Sequence, residues 1–412
     1  MAPKGYRITY GVLLAFMAGL VGLAVWFASH GMAHRGDGIA GLLGRDQGYE
    51  IMEGPWGDLM VWDLRLEVPE EFITREEMSP RPTQWNFGKM SLDQARNVLA
   101  IQGCSPAQAD SLLQNGPMPS PSGEFIIQPP ESAVLRLKSE PRNDLYAFLA
   151  QQSGNRYYQE PVYLPPTQME KLLRENKFSH PEELRLLLQK LVYPRNGYQY
   201  FSDPEIILRH LANDRERVDF LRGIFGVDAV RAGLRVQTSQ DCEKPLAYWT
   251  HSMPGVTATD LKPLLESFYK LKDPGPLSIL YVLPPMARLR LYTTPRPEEV
   301  KGAKPPDCHW TALNFFRREP DPRMSDNQYA SDYIKNNFTQ ISQPSQPGDL
   351  LLLLNPQGQV LHSATYLAGN IYFTKNGLNV VQPWVLMREK DLLPLFSKHE
   401  PAHPAYFRKR DL

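Results

Sequence analysis

The run Tyr10-Gly-Val-Leu-Leu-Ala-Phe-Met-Ala-Gly-Leu-Val-Gly-Leu-Ala-Val-Trp-Phe-Ala28 carries no charge, and about 20 apolar residues at 1.5 Å rise cross a hydrocarbon core. No other stretch of the chain has that length and apolarity. Tyr10 and Trp26 lie near its ends, where amphipathic rings favour the headgroup zone, and Lys4 and Arg7 precede it. The pattern predicts a single membrane-spanning helix at the cell membrane, with the N-terminus cytoplasmic and the bulk of the chain extracytoplasmic, that is, periplasmic. The competing reading is a cleaved secretory signal, because Phe27-Ala-Ser-His-Gly-Met-Ala33 offers small residues near a cut. The apolar core exceeds the roughly 7 to 15 residues usual for a signal, which favours the anchor.

At 412 residues the chain exceeds a typical domain of roughly 100 to 200, so two or three cores are expected. Lys plus Arg and Asp plus Glu number 45 each. That balance supplies no basic groove for nucleic acid and says nothing about protein partners. The 38 prolines, about twice average usage, imply many rigid connections and short elements. Three cysteines leave one over if two bridge, and whether Cys104 bonds Cys242 stays open at this level.

After the cytoplasmic tip and anchor (1–29), residues 30–123 read as a stalk with a small helical hairpin. Asp58 to Val68 alternates as a strand does. Ser91 caps a helix carrying Leu92, Ala95, Val98 and Leu99, and Ser105-Pro106 opens a second, with Cys104 in the turn. The turn formers of Asn115 to Gly123 mark a linker. Residues 124–296 mix strands, such as Ala133 to Leu137 and Leu277 to Leu283, with helices such as Glu182 to Leu191. They read as an α+β domain without an assigned role. The aromatic series Tyr157, Tyr158, Tyr163, Tyr193, Tyr198, Tyr200 and Phe201 lines a ligand groove or packs around proline-rich loops. A proline-rich linker then leads into a last unit, 297–412.

The chemistry is sought in that last unit. Pro305-Pro-Asp-Cys-His-Trp-Thr-Ala-Leu313 places Cys308 in the first turn of a helix, where unpaired backbone N–H groups and the helix dipole stabilise a thiolate. The same groups can hold the oxyanion formed when the thiolate attacks a carbonyl. Downstream, Gly348-Asp-Leu-Leu-Leu-Leu-Leu354 is a buried strand, Asn355 to Gly358 a hairpin turn, and Gln359 to Leu367 the partner strand bearing His362; a further turn leads into Ile371 to Lys375.

Asp-Cys at a helix start, then Pro-Gly-Asp-Leu with an apolar strand, then His-Ser-Ala-Thr-Tyr-Leu and a glycine turn, resembles the NlpC/P60 group of papain-like cysteine peptidases over about residues 305–390. The resemblance implies Cys308 as nucleophile, His362 as general base, and a polar residue of the next strand, among Thr374, Lys375 and Asn376, orienting the imidazole. A three-residue turn pairing 367 with 371 sets 376 opposite 362, whereas a two-residue turn would put Lys375 on the histidine's face; protonated lysine accepts no N–H bond, so Asn376 is preferred. His309 departs from the small residue usual after the cysteine. Together with Tyr366 and Lys375 it is a candidate substrate-lining residue.

The expected fold class is therefore α+β: a transmembrane helix, a mixed middle domain, and a papain-like unit of helix plus antiparallel sheet. The expected function is that of a membrane-anchored thiol hydrolase acting on an amide, with cell-wall peptide or another envelope compound as substrate. Two alternatives stand beside it: a non-catalytic envelope binding protein that keeps the papain-like shell, and a lipid-directed acyl hydrolase or transferase. No cofactor or metal is expected. His399 and His403 are four apart, but Pro401 and Pro404 prevent the helix such a metal pair wants, and the basic run Tyr406 to Arg410 reads as a solvated tail.

Overall fold

The computed structural model describes residues 48–410 apart from 175–176, 252, 273, 297–304, 378 and 380. Among the described residues no helix is long and apolar enough to cross a membrane. This corrects the expected fold class: the architecture is α+β with antiparallel sheets, and the span expected at Tyr10 to Ala28 lies outside the described residues. Residues 50–412 group into one compact unit.

Local signals in the first part act as expected. Ser91 and Ser105 each accept the backbone N–H three residues on and receive a glutamine side chain in return. These capping boxes start α1 (Leu92–Ile101) and α2 (Pro106–Leu113), which pack as a hairpin. Ala133 to Leu137, expected as a strand, belongs to a short helix, Glu131–Leu135, which presents Ala133 and Val134 to the core. The periodicity of so short an apolar run fits either element, and the fixed φ of Pro130 just before it suits a helix entry. Leu277 to Leu283 gives only two strand residues before a 3₁₀ turn, Ile279–Val282.

Most of the aromatic series packs in a core, with Tyr163 and Tyr198 partly buried against it. Tyr158, Tyr193, Tyr200 and Phe201 are buried in one core running from Trp85 to Ile224. Inside it, Arg142 and Asp203 are fully buried. Tyr146 and Tyr158 donate to Asp203 at 2.8 and 3.1 Å.

Two sheets organise the rest. In the first, β1 (Glu50–Met52), β2 (Asp58–Leu66), β3 (Val227–Arg235) and β4 (Leu277–Ser278) lie in that order. The second has six strands: β5 (Phe338–Ile341), β6 (Leu350–Leu354), β7 (Val360–Ala368), β8 (Ile371–Lys375), β9 (Trp384–Arg388) and β10 (His403–Lys409). Their spatial order is β5-β10-β6-β7-β8-β9, antiparallel throughout. The sheets are tied where Arg388 of β9 reaches Asp63 at 2.6 Å and Glu50 at 3.2 Å.

Both faces of the six-stranded sheet are covered. The helix α3 (Cys308–Leu313) packs on one face, over a core that includes Leu350, Leu352, Leu367, Phe373, Trp384 and Leu386. On the other, α4 (Glu389–Phe396) covers Leu351, Leu353, Ala364, Tyr366, Tyr372, Val385 and Met387. Double coverage explains why β6 is an unbroken leucine run rather than an alternating one. Gly348, which leads into it, has φ +95°, and a Cβ there would strike the Phe316 ring.

The expected C-terminal tail is instead an interior strand: β10 lies between β5 and β6. Arg408 holds it there, donating from Nε at 2.8 Å and Nη2 at 2.7 Å to the buried carboxylate of Asp349. Replacing Arg408 by Met should therefore cost roughly 1.5–3 kcal/mol, the range for hydrogen bonds to a charged group. Urea denaturation checks this, and an unchanged midpoint would contradict the pairing.

Candidate functional site

Pro305 and Pro306 cannot continue a helix from upstream, and Asp307 takes the cap position, its carboxylate accepting the Trp310 N–H at 2.8 Å. Cys308 is thus the first residue of α3, as the sequence predicts. Backbone N–H groups of Ser363, His309 and Cys308 itself aim at its Sγ and favour the thiolate. Burial opposes them more strongly, the Asp307 carboxylate adds to it, and the thiol is pushed up to about 12. Cys308 is 5 % exposed.

His362 does not meet it. Side chains alternate across a strand. Ser363 and Thr365 of β7 reach α3, through His309 and the Ala312 carbonyl. His362 projects to the opposite face, where its ring stacks on Phe396 of α4, centroids 3.9 Å apart. Its Nε2 bonds Thr374 Oγ1 at 2.8 Å, and its buried Nδ1 has no partner. Burial, then the His309 charge, holds the imidazole well below its ordinary pKa. The expected Cys308–His362 dyad is therefore not assembled.

The imidazole's partner is also not the preferred one. The ladder pairs Thr365 with Phe373 and Tyr366 with Tyr372, the register that sets 376 across from 362. Yet β8 ends at Lys375, and Asn376 turns its Nδ2 toward Met387 Sδ at 3.4 Å. The diagonal neighbour Thr374 fills the place, within the reach of long side chains across a strand pair. Tyr366, expected to meet substrate, is 2 % exposed and packs on Tyr372 beneath α4.

What gathers around Cys308 is a different set. Lys375, fully buried on the α3 face, donates from Nζ to the carbonyls of Gly377 at 2.8 Å and Asn379 at 2.9 Å. Burial lowers its pKa to about 8 against the opposing pull of Cys308 and Asp307. Trp384 lies 5.9 Å from Nζ and donates its indole N–H to Thr311 of α3 at 2.9 Å. Arg290 stacks over both Trp310 and Trp384. His309 Nδ1 and Ser363 Oγ are 2.6 Å apart. Ser363 escaped the sequence reading because it appears there only as a small residue after the histidine, without nucleophile-elbow context.

Cys104 and Cys242 are unpaired and buried in different cores, and desolvation raises both thiols. Among the described residues no group of His, Cys, Asp and Glu could hold a metal. No family model matches the chain, and no curated protein or solved structure is significantly similar to it.

Because the folded protein keeps His362 neutral where the unfolded chain begins to protonate, its stability contribution is full above pH about 6.5 and is lost as pH falls below that value, by at most about 1.36 kcal/mol per unit. A His362→Gln variant, which keeps a hydrogen-bonding group beside Thr374, should lose less stability than the wild type between pH 7 and pH 5. Urea titrations at the two pH values compare the slopes, and equal losses would contradict a depressed His362.

Proposed function

We propose that the chain is a thiol-dependent acyl hydrolase acting at Cys308 on an amide carbonyl, with Lys375 rather than His362 as proton acceptor. The observation that carries this reading is a cysteine at a helix start together with a fully buried lysine on the sheet face that this helix covers. Perturbed ionisable groups concentrate at functional sites, and a lysine kept in a core for packing alone would exact a desolvation cost.

The neutral amine of Lys375 takes the thiol proton, and the sulfur lone pair forms the C–S bond while the carbonyl π electrons move onto oxygen. Collapse expels the amine, and water then cleaves the thioester. With the thiol at about 12 and the amine at about 8, a difference of about four pH units makes the transfer roughly 5 kcal/mol uphill. The resemblance over residues 305–390 points to cell-wall peptide as the substrate class.

A second reading, a binding module that keeps the shell without catalysis, is favoured by one observation: His362 faces α4 instead of Cys308. Activity separates the two. On a cell-wall peptide digest, Cys308→Ala should abolish release of fragments. The wild-type kcat/KM should rise with pH through about 8 as Lys375 deprotonates, and Lys375→Met should lose that rise together with about 10²–10⁴ in rate. Fragment release that survives Cys308→Ala would overturn the assignment of Cys308, and none from the wild type would favour the binding module.

A further inference from the structure

We infer that Trp384 is the positioning residue of this site: its indole N–H fixes the helix that carries Cys308, and its ring holds the ammonium of Lys375. The role in turnover rests on the thiol chemistry proposed above; the hold on the amine does not.

Trp384 is fully buried and bonded through each of its polar groups. Its backbone N–H donates to the Thr293 carbonyl at 3.0 Å, and its own carbonyl accepts the Tyr292 N–H at 2.7 Å. The indole N–H donates to Thr311 Oγ1 at 2.9 Å. Thr311 follows Cys308 by one turn of α3, and residues so spaced share a helix face. A single indole bond thus fixes the side of α3 on which Cys308 lies.

Lys375 is the direct partner of Trp384 in the ladder between β8 and β9, so the two side chains stand next to each other on one face. Nζ lies 5.9 Å from the ring centroid, within the range of a cation–π contact. It also donates to the carbonyls of Gly377 and Asn379. An ammonium keeps a third N–H, which the negative face of the ring attracts. A neutral amine with both hydrogens engaged has only a lone pair left, which that face repels. The ring therefore favours the charged form and works against the burial that draws Lys375 toward neutrality. Both side chains are fully buried, where such an attraction is strongest.

Other groups bear on the amine as well. Cys308 and Asp307, at the start of α3, favour its charge. His309 of the same helix bonds Ser363, and β7 presents Ser363 and Thr365 to this face, neither of them ionisable. Arg290 is a second cation on the indole, 4.5 Å from its ring. With a weaker ring, burial would strip the Lys375 proton at lower pH, and the amine would be a poorer acceptor for the thiol proton.

The test follows Lys375 by ¹³C NMR in the full chain carrying lysine labelled at Cε, its signal assigned by its loss in Lys375→Met. Biosynthetic replacement of tryptophan by monofluoro- and tetrafluorotryptophan weakens the negative ring face with little change of shape. The Lys375 midpoint should fall with fluorine content, by about 0.4 to 1.5 pH units for the tetrafluoro protein. The rise of kcat/KM on the cell-wall peptide digest should move down with it. In Trp384→Phe, fluorination should no longer move the midpoint. Thr311→Val, which frees the indole from α3, should lower kcat/KM by about 10–100-fold, and Thr311→Ser, which keeps the hydroxyl, should recover part of it. A midpoint that ignores fluorine, or still follows it in Trp384→Phe, overturns the hold on Lys375. Unchanged turnover in Thr311→Val overturns the hold on the helix. A midpoint that falls with fluorine in a chain releasing no fragments supports the hold on Lys375 while overturning the thiol chemistry.

Discussion

The six-stranded sheet is buried on both faces, and everything at the candidate site depends on that. A strand has two sides. Where helices cover both, its successive residues enter compartments that share no side-chain contact. On β7, Ser363 and Thr365 belong to the compartment of α3, whereas His362, Ala364 and Tyr366 belong to that of α4. A one-residue step along the backbone thus separates the serine that touches the cysteine helix from the histidine that does not.

The electrostatics follow from the same enclosure. At the start of α3, dipole and backbone N–H groups favour a thiolate, yet desolvation outweighs them, and the same desolvation draws Lys375 toward its neutral form. One apolar environment thus makes the thiol a weaker acid and the amine a weaker base. Across the sheet, His362 is kept neutral by its compartment and spends its Nε2 on Thr374.

Much of the fold was legible because it rests on short-range chemistry. Ser91 and Ser105 announce helices by capping, which needs only neighbours along the chain. The order of β6, β7 and β8 was readable from the turns between them. Less legible were the short apolar runs. Ala133 to Leu137 fits helix or strand by pattern, and packing against the Trp85 to Ile224 core settled it as helix. The segment Tyr406 to Arg410 looked like a solvated end because its charges dominate; the distant carboxylate of Asp349 draws one of them inward and turns the tail into an interior strand.

The apolar run from Tyr10 to Ala28 is a property of the sequence itself, as are Cys308 at a helix start and His362 on a strand beside a hairpin. Which face of β7 the histidine occupies was decided only in three dimensions. In a half-exposed strand, polar and apolar residues alternate and mark the inward side; in strands such as Leu350–Leu354 both sides are apolar, and the pattern carries no such mark. The partners of Cys308 were hidden for the same reason. Lys375 and Ser363 share with it the sheet face that α3 covers, a long-range packing choice that no spacing along the chain encodes.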